Sequence, residues 1–334
     1  MNQPRHRPVR RAFVLLMLGL GAAWPAWSQA PDAAPAWPSR PITLVLPLAP
    51  GGATDTLARA VAQGVSTRLG QPVVLEHRPG AGGTIASVAV ARAAPDGHTL
   101  LFANFATHAT APTLFKSLAY DPIRDFKGVS LVATSPHLLL VNATSDIRTV
   151  RQLIDGGKQP GRQLNYGSSG TGSPLHLAAE YFSAQTGSAI VHVPFKSSGP
   201  ALNELMAGRL DAMFDNLSSG LPLVQSGKLR ALAITSATRS ALAPDTPTVQ
   251  EQGVLGFNTY GWWGVLAPAK VPPAVVDRLA VAIQQTLKSP ELRQTLIAQG
   301  FDPIGSSPAE LDAHIGREVA KWGGVIRSAG ISVE

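Results

Sequence analysis

Glycine and hydroxyl residues gather where this sequence can do chemistry. Pro47 to Asp55 reads P-L-A-P-G-G-A-T-D, Gly167 to Ser173 reads G-S-S-G-T-G-S, and Lys196 to Gly199 reads K-S-S-G. Each stretch follows a short apolar run and precedes a helical pattern, so each reads as a strand, a turn and a helix start. The first N–H groups of a helix have no partner within it, and the helix dipole adds partial positive charge there. Glycine lets that backbone approach a ligand without a side-chain wall. Such loops suit capture of a carboxylate or phosphate. Two further predicted strand ends, Asn104 to Thr107 and Asp215-Asn216, add polar groups of the same kind. Any one loop of this type is ordinary turn and cap chemistry, with Pro174 at a favoured first-turn position. Several together, all at strand ends, favour a binding site.

Bond-breaking chemistry finds little support. Gly167-Ser168-Ser169-Gly170 has the wrong order for a G-x-S-x-G nucleophile elbow. The Walker pattern is missing, and Gly80-Ala81-Gly82-Gly83 lacks the full dinucleotide spacing. Histidines 77, 98, 108, 137, 176, 192 and 314 are scattered without metal-ligand spacing, so no metal and no cofactor is expected. A hydrolase would need a nucleophile and a base within reach, for which Ser169 and His176 are the candidates. A histidine satisfied on its own helix is the simpler account of His176. Asp55 would repel an anion, and its expected work is to accept N–H groups at the helix start. Lys196 is either a counter-charge or a solvated loop side chain. Phe257, Trp262 and Trp263 either stack on a ligand or pack near an interdomain crossing.

The elements that must position these loops alternate. Strand, loop and helix from Ile42 are followed by a strand at Pro72 to Glu76, a helix to about Ala93 and a strand at His98 to Asn104. That βαβαβ order implies parallel strands with right-handed crossovers. Val129 to Ala133 and Leu138 to Val141 read as two extended runs divided by Ser135-Pro136. The alternation then restarts: strands at Leu164 to Tyr166, Ile190 to Val193, Leu210 to Phe214 and Leu229 to Thr235, with helices at Pro174 to about Ala184, Ala201 to Ala207 and Leu217 to Val224. An aromatic strand at Tyr260 to Leu266 precedes helices near Pro273 to Lys288, Pro290 to Gln299 and Pro308 to Ser328. Leu101-Phe102-Ala103-Asn104 and Ala212 to Asn216 echo each other, too briefly to prove duplication. The fold class is α/β, in two domains joined by two crossings: 38–136 with 258–334, and 137–257. Each domain is a mostly parallel sheet flanked by helices. A ligand would sit where the carboxyl ends of both sheets face each other.

The 334-residue length suits two domains, and 45% hydrophobic with 15% charged residues fits a packed globular protein. Arg5, Arg7, Arg10 and Arg11 precede an apolar run from Ala12 to Ala23 and small residues around Ala26 and Ser28, which reads as a secretory signal over 1–28. The run is too short to span a bilayer. Arg10-Arg11-Ala12-Phe13-Val14 fits a twin-arginine signal or an ordinary basic region. Residues 29–37 form a Pro/Ala-rich leader. Removing the four arginines takes the formal charge from +7 to +3, because residues 1–28 hold no acid. No basic stripe with interleaved aromatics survives, so nucleic-acid binding is not expected. Absence of cysteine excludes disulfides, thiolate metal sites and a lipid-acceptor Cys.

The motifs P-L-A-P-G-G-A-T-D, R-P-G-A-G-G-T, A-A-P-D-G-H-T-L-L, L-N-Y-G-S-S-G-T-G-S-P-L-H-L, H-V-P-F-K-S-S-G-P-A-L, M-F-D-N-L and W-G-V-L-A-P-A resemble, in order, those of the Bug-type substrate-binding proteins of tripartite tricarboxylate transport systems. The resemblance runs from about Trp37 to the C-terminus. It implies a periplasmic two-domain binding protein of the type II-like, Venus-flytrap kind, monomeric and without enzymatic activity. Such a protein closes on a small organic anion, a mono- or dicarboxylate, and delivers it to membrane transporter subunits. A sensory role toward a membrane kinase is the alternative. The resemblance places Gly52, Ala53, Thr54 and Asp55 opposite Ser168, Ser169, Gly172 and Ser173, with Ser197, Ser198, Asp215 and Asn216 nearby. Asn104 and Thr107 complete the first side. The family often has an aromatic residue at Leu48, tyrosine at Phe195 and glycine at Ser197, so specificity is expected to depart there.

Gly52→Val is predicted to weaken ligand affinity without unfolding the protein, since a side chain blocks the backbone's approach to a carboxylate. Calorimetry of the variant decides, and unchanged affinity removes this loop from the site.

Overall fold

The computed structural model describes residues 37–51 and 53–332; the signal, most of the leader and Gly52 lie outside the described residues. Strand β1 (Ile42–Leu46) leads to helix α1 (Ala53–Leu69), β2 (Val73–His77), α2 (Thr84–Ala91) and β3 (Thr99–Asn104). A wide helical turn at Ala106–Thr110 runs into α3 (Ala111–Leu114), and the long strand β4 (Phe126–Asn142) follows. Then come α4 (Val150–Lys158), β5 (Leu164–Ser168), α5 (Pro174–Thr186), β6 (Ile190–Pro194), α6 (Ser198–Met206), β7 (Ala212–Asn216), α7 (Leu217–Gln225) and β8 (Leu229–Ile234). The chain closes with β9 (Tyr260–Pro268), α8 (Pro273–Leu287), α9 (Pro290–Ala298), β10 (Asp302–Pro303) and α10 (Pro308–Ser328). Caps follow the local sequence: Thr149, Ser173 and Ser307 each accept an N–H from the first turn of the helix they precede. Ser307 and Glu310 complete a reciprocal capping box.

The strands lie in the order β2-β1-β3-β9-β4-β7-β5-β6, with β8 and β10 also on β4. β1 pairs in parallel with β2 and β3, and β5 in parallel with β6 and β7. β4 and β9 are antiparallel insertions between these triplets. The sheet is therefore mixed overall, with a parallel triplet at each end. Side chains fill both faces of each half. Leu44, Leu57, Val61, Leu279 and Ile283 pack on one face of the first half, and Trp262, Leu311, Trp322 and Ile326 on the other. In the second half Tyr166, Phe182, Phe214 and Phe257 pack on one face, and Leu138, Leu205, Met213 and Leu217 on the other.

β4 corrects one expectation from sequence. Ser135-Pro136 does not divide it; the strand runs unbroken and changes partners there. Phe126 to Pro136 pair with β9, while His137 to Leu140 pair with β7. Proline interrupts a ladder only where its missing N–H is needed, and Pro136 stands at the end of one ladder, opposite Tyr260. A second correction is helical: residues 106–114 follow β3 as helix, whereas Ala201 to Ala207 undershoots α6, which already begins at Ser198.

Thr235 sits where both passages between the two halves run side by side. Its hydroxyl accepts the N–H of His137 at 2.8 Å and donates to the carbonyl of Thr259 at 2.6 Å. Its own N–H donates to His137 O at 2.9 Å, and its carbonyl accepts from Thr259 N at 3.1 Å. The side chain is fully buried, so loss of the hydroxyl strands a donor and an acceptor without water. Thr235→Val, equal in shape, should therefore lower unfolding free energy by about 2–4 kcal/mol. Urea titration checks this, and a change under half a kilocalorie would show that the crossing does not depend on this clasp.

Candidate functional site

The register of β4 places the strand ends. Asn104, the last residue of β3, lies opposite Trp263 of β9, which lies opposite Ala133 of β4. Asn216, the last residue of β7, lies opposite His137 of β4. Both ends point at the crossing, from opposite sides, their rows offset by four residues along β4, or about 13 Å of strand. Because β1 is parallel to β3 and β5 to β7, the loops after all these strands face the same region.

On the first side, α1 begins directly after the glycine turn, and Thr54 and Asp55 are both buried. Thr54 Oγ1 accepts from Trp263 Nε1 at 2.8 Å, so Trp263 braces the loop from β9. Asp55 Oδ2 accepts the N–H of Gly51 at 3.0 Å and Arg59 Nε at 3.0 Å, while Oδ1 lies 2.8 Å from His77 Nε2. The carboxylate thus takes over a backbone donor of the glycine turn, as its place at the helix start suggests. The Gly51 N–H, then Arg59, and less strongly His77, hold its carboxyl down at about 2 against the desolvation that would raise it. Gly83, after β2, fits in the angle between Pro47 and Thr107: a Cβ there would lie 2.6 Å from Thr107 Cγ2 and 2.9 Å from Pro47 Cβ. The loops after β1, β2 and β3 are thereby locked together. Asn104 and Thr107 bond chiefly to each other, Thr107 N donating to Asn104 Oδ1 at 3.2 Å and Asn104 N to Thr107 Oγ1 at 3.1 Å. Thr107 is fully buried, so it shapes this turn from behind. Leu48 is 45% exposed, on the open side of the loop. Gly52 and the side chain of Ala53 lie outside what is described.

On the second side, Ser168 is fully buried. Its hydroxyl lies 2.6 Å from His192 Nε2 and accepts the N–H of Gly170 at 3.0 Å. Ser173 caps α5 by accepting the N–H of His176 at 3.2 Å. Gly172, with φ of +77°, donates its N–H to His176 Nδ1 at 2.9 Å. Ser169 is half-buried, Ser197 exposed and Ser198 half-buried. Ser197 makes no side-chain cap, leaving the start of α6 open. Phe195 is half-buried beneath this loop, its N–H on Ser168 O at 3.2 Å. Asp215 is fully buried and accepts Ser219 Oγ at 2.5 Å. Burial pushes its carboxyl up, with the hydroxyls of Ser219 and Ser198 pulling the other way. Asn216 is half-buried at the N-cap of α7 without a side-chain cap bond. The two sides touch: a Cβ on Gly172 would lie 3.1 Å from Leu114 Cδ1, at the end of α3. Leu177 of α5 also packs in the first half's cluster with Trp322 and Ile326.

Sequence reasoning missed Arg59, His77, Gly83, Tyr166, Glu180 and His192. Arg59 was legible, being four residues beyond Asp55 on one helix face. His77 depends on the parallel register that sets it beside Leu46, and no local pattern carries that. Ser168 with His192 has the spacing of a nucleophile and a base. Ser168, however, is enclosed and shares its oxygen with Gly170. Burial, then the neighbouring His176, holds His192 at about 4. Among the described residues no three His, Asp or Glu side chains group as metal ligands, and no helix is long and apolar enough to cross a membrane.

Folding lowers the Asp55 carboxyl from 3.8 to about 2, so its charge adds stability above pH 4 that is lost as pH falls through 2. Asp55→Asn should lower the melting temperature at pH 7, and the gap to the parent should narrow steadily between pH 4 and 2. Melting curves at stepped pH check it. A pH-independent gap would mean that the carboxylate's charge does not hold the turn.

The sequence pattern of the family described as "Tripartite tricarboxylate transporter family receptor" matches residues 57–331. The chain is 36% identical over 306 residues to Protein BugT of Bordetella pertussis, covering 91% of this chain and 94% of that one. It is similar to a solved structure from R. palustris with adipate, at 38% identity and TM-score 0.76, covering 89% of this chain and all of that one. It is also similar to MatC of Rhodopseudomonas palustris with bound malate, at 34% identity and TM-score 0.72, covering 87% of this chain and all of that one. The chain belongs to the tripartite tricarboxylate transporter receptor family, a family of solute-binding receptors and not of enzymes.

Proposed function

We propose that this protein is exported by its N-terminal signal, binds a small organic carboxylate between its two sheet halves in the periplasm, and hands it to the membrane subunits of a tripartite transporter. The observation that carries this reading is the opposition of the β3 and β7 ends across the β4 crossing. It brings two sets of glycine and hydroxyl loops to one place, each opening into a helix. Helix starts offer N–H donors and partial positive charge, which match a carboxylate better than a neutral solute. Relatives of this chain hold adipate and malate, so aliphatic dicarboxylates are the first solutes to test. The halves, 38–136 with 258–334 and 137–257, serve as the two lobes, and closure turns on the crossing at Thr235. The binding residues are Gly52, Ala53 and Thr54 from the first lobe and Ser169, Gly172, Ser197, Ser198 and Asn216 from the second, with Leu48 and Phe195 shaping the wall. Asp55, Asn104, Thr107, Ser168, Ser173 and Asp215 support those loops from behind. The family match is to a transport receptor and lends nothing to a sensory role.

Thermal-shift and calorimetric titration of unfolded-and-refolded, ligand-free protein against malate, succinate, adipate and monocarboxylates tests this reading. At least one carboxylate should raise the melting temperature in a concentration-dependent way, by the equivalent of about 2.7 kcal/mol at a hundredfold excess over Kd. No response to any of them would overturn it.

A further inference from the structure

The two glycine turns are latched alike. In the first, the Gly51 N–H is taken by the side chain four residues on, Asp55. In the second, the Gly172 N–H is taken by the side chain four residues on, His176. Each latch is backed from the neighbouring edge strand by a histidine, His77 from β2 and His192 from β6. The first latch is a carboxylate, which accepts at any pH above its own low range. An imidazole accepts only through an unprotonated nitrogen.

His176 is 4% exposed and belongs to a stack. Its ring lies 3.8 Å from that of His192, nearly parallel at 11°, and Tyr166 stacks on His192 at 5.0 Å. Since Nδ1 accepts from Gly172, the ring proton sits on Nε2, which faces Glu180 Oε1 at 3.7 Å. Tyr166 donates its hydroxyl to the same oxygen at 2.5 Å. Burial raises the Glu180 carboxyl, but His176, Tyr166 and His192 outweigh it and keep it below the usual range, so it stays charged and orients the ring. The titratable groups facing His176 are therefore Tyr166 from β5, His192 from β6 and Glu180 on α5 itself. On another side of α5, Lys321 of α10 lies over Tyr181.

We propose that His176 is a positioning residue for carboxylate binding, its Nδ1 holding Gly172 and so the G-S-S-G-T-G-S loop in receptive shape while Glu180 keeps the ring proton on Nε2. This inference rests on the binding reading above.

His176→Asn places an amide oxygen near the position of Nδ1, whereas His176→Leu offers no acceptor. With malate and adipate as probes, His176→Leu should bind about tenfold more weakly at pH 7.5, the weight of one well-made buried hydrogen bond. His176→Asn should stay within about twofold of the parent. Glu180→Gln leaves the stack in place but removes the carboxylate that keeps the ring proton on Nε2, so amide exchange over 168–173 should be faster than in the parent. Amide hydrogen exchange over 168–173 should be faster in His176→Leu and restored in His176→Asn, with or without probe. Equal affinity and equal loop exchange in His176→Leu, or equal losses in both variants, would overturn the proposal. Should His176→Leu not fold, unchanged loop exchange in Glu180→Gln overturns it. If neither probe binds the parent, the binding reading fails, and the exchange measurement still judges the latch.

Discussion

The chain passes between its two sheet halves twice, and both passages are tied by one hydroxyl. Thr235 joins β4 at His137 to the return segment at Thr259. That tie holds β4 and the start of β9 side by side where partners change, and the rest of the site follows from it. With β4 shared, β3 and β7 must run toward the crossing from opposite sides, and the parallel strands beside them follow. Convergence of the loops is thus a consequence of strand direction. No contact between the loops themselves is needed to bring them together.

The loops divide their labour between front and back. Behind the first lies a charged latch of Asp55, Arg59 and His77; behind the second lies an aromatic and imidazole stack of Tyr166, His192 and His176. Two of these groups, Asp55 and His176, are buried and take up the Gly51 and Gly172 N–H groups, while the start of α6 has no side-chain cap. Buried polar groups that are fully paired stiffen a loop, because any other arrangement strands a donor away from water. The similar build of the halves extends to these latches, since β2-β1-β3 matches β6-β5-β7 in order and direction. Asn104 and Asp215-Asn216 end corresponding strands, which gives their short sequence echo a structural setting.

The sequence by itself determined the local units. Apolar runs of five residues, glycine turns and caps at Ser173 and Ser307 depend on neighbours within four positions, so strands, helix starts and the role of Asp55 were legible to within a few residues. The α/β class follows from their alternation. Only the tertiary structure decided the continuity of β4 through Pro136, the helical turn after Asn104, and the pairing of Thr54 with Trp263, Asp55 with His77 and Ser168 with His192. The three pairings join residues from 22 to 209 positions apart and depend on strand register and packing. Register is set by how whole faces of side chains interlock, and a local pattern of residue types carries no record of which distant strand lies beside it.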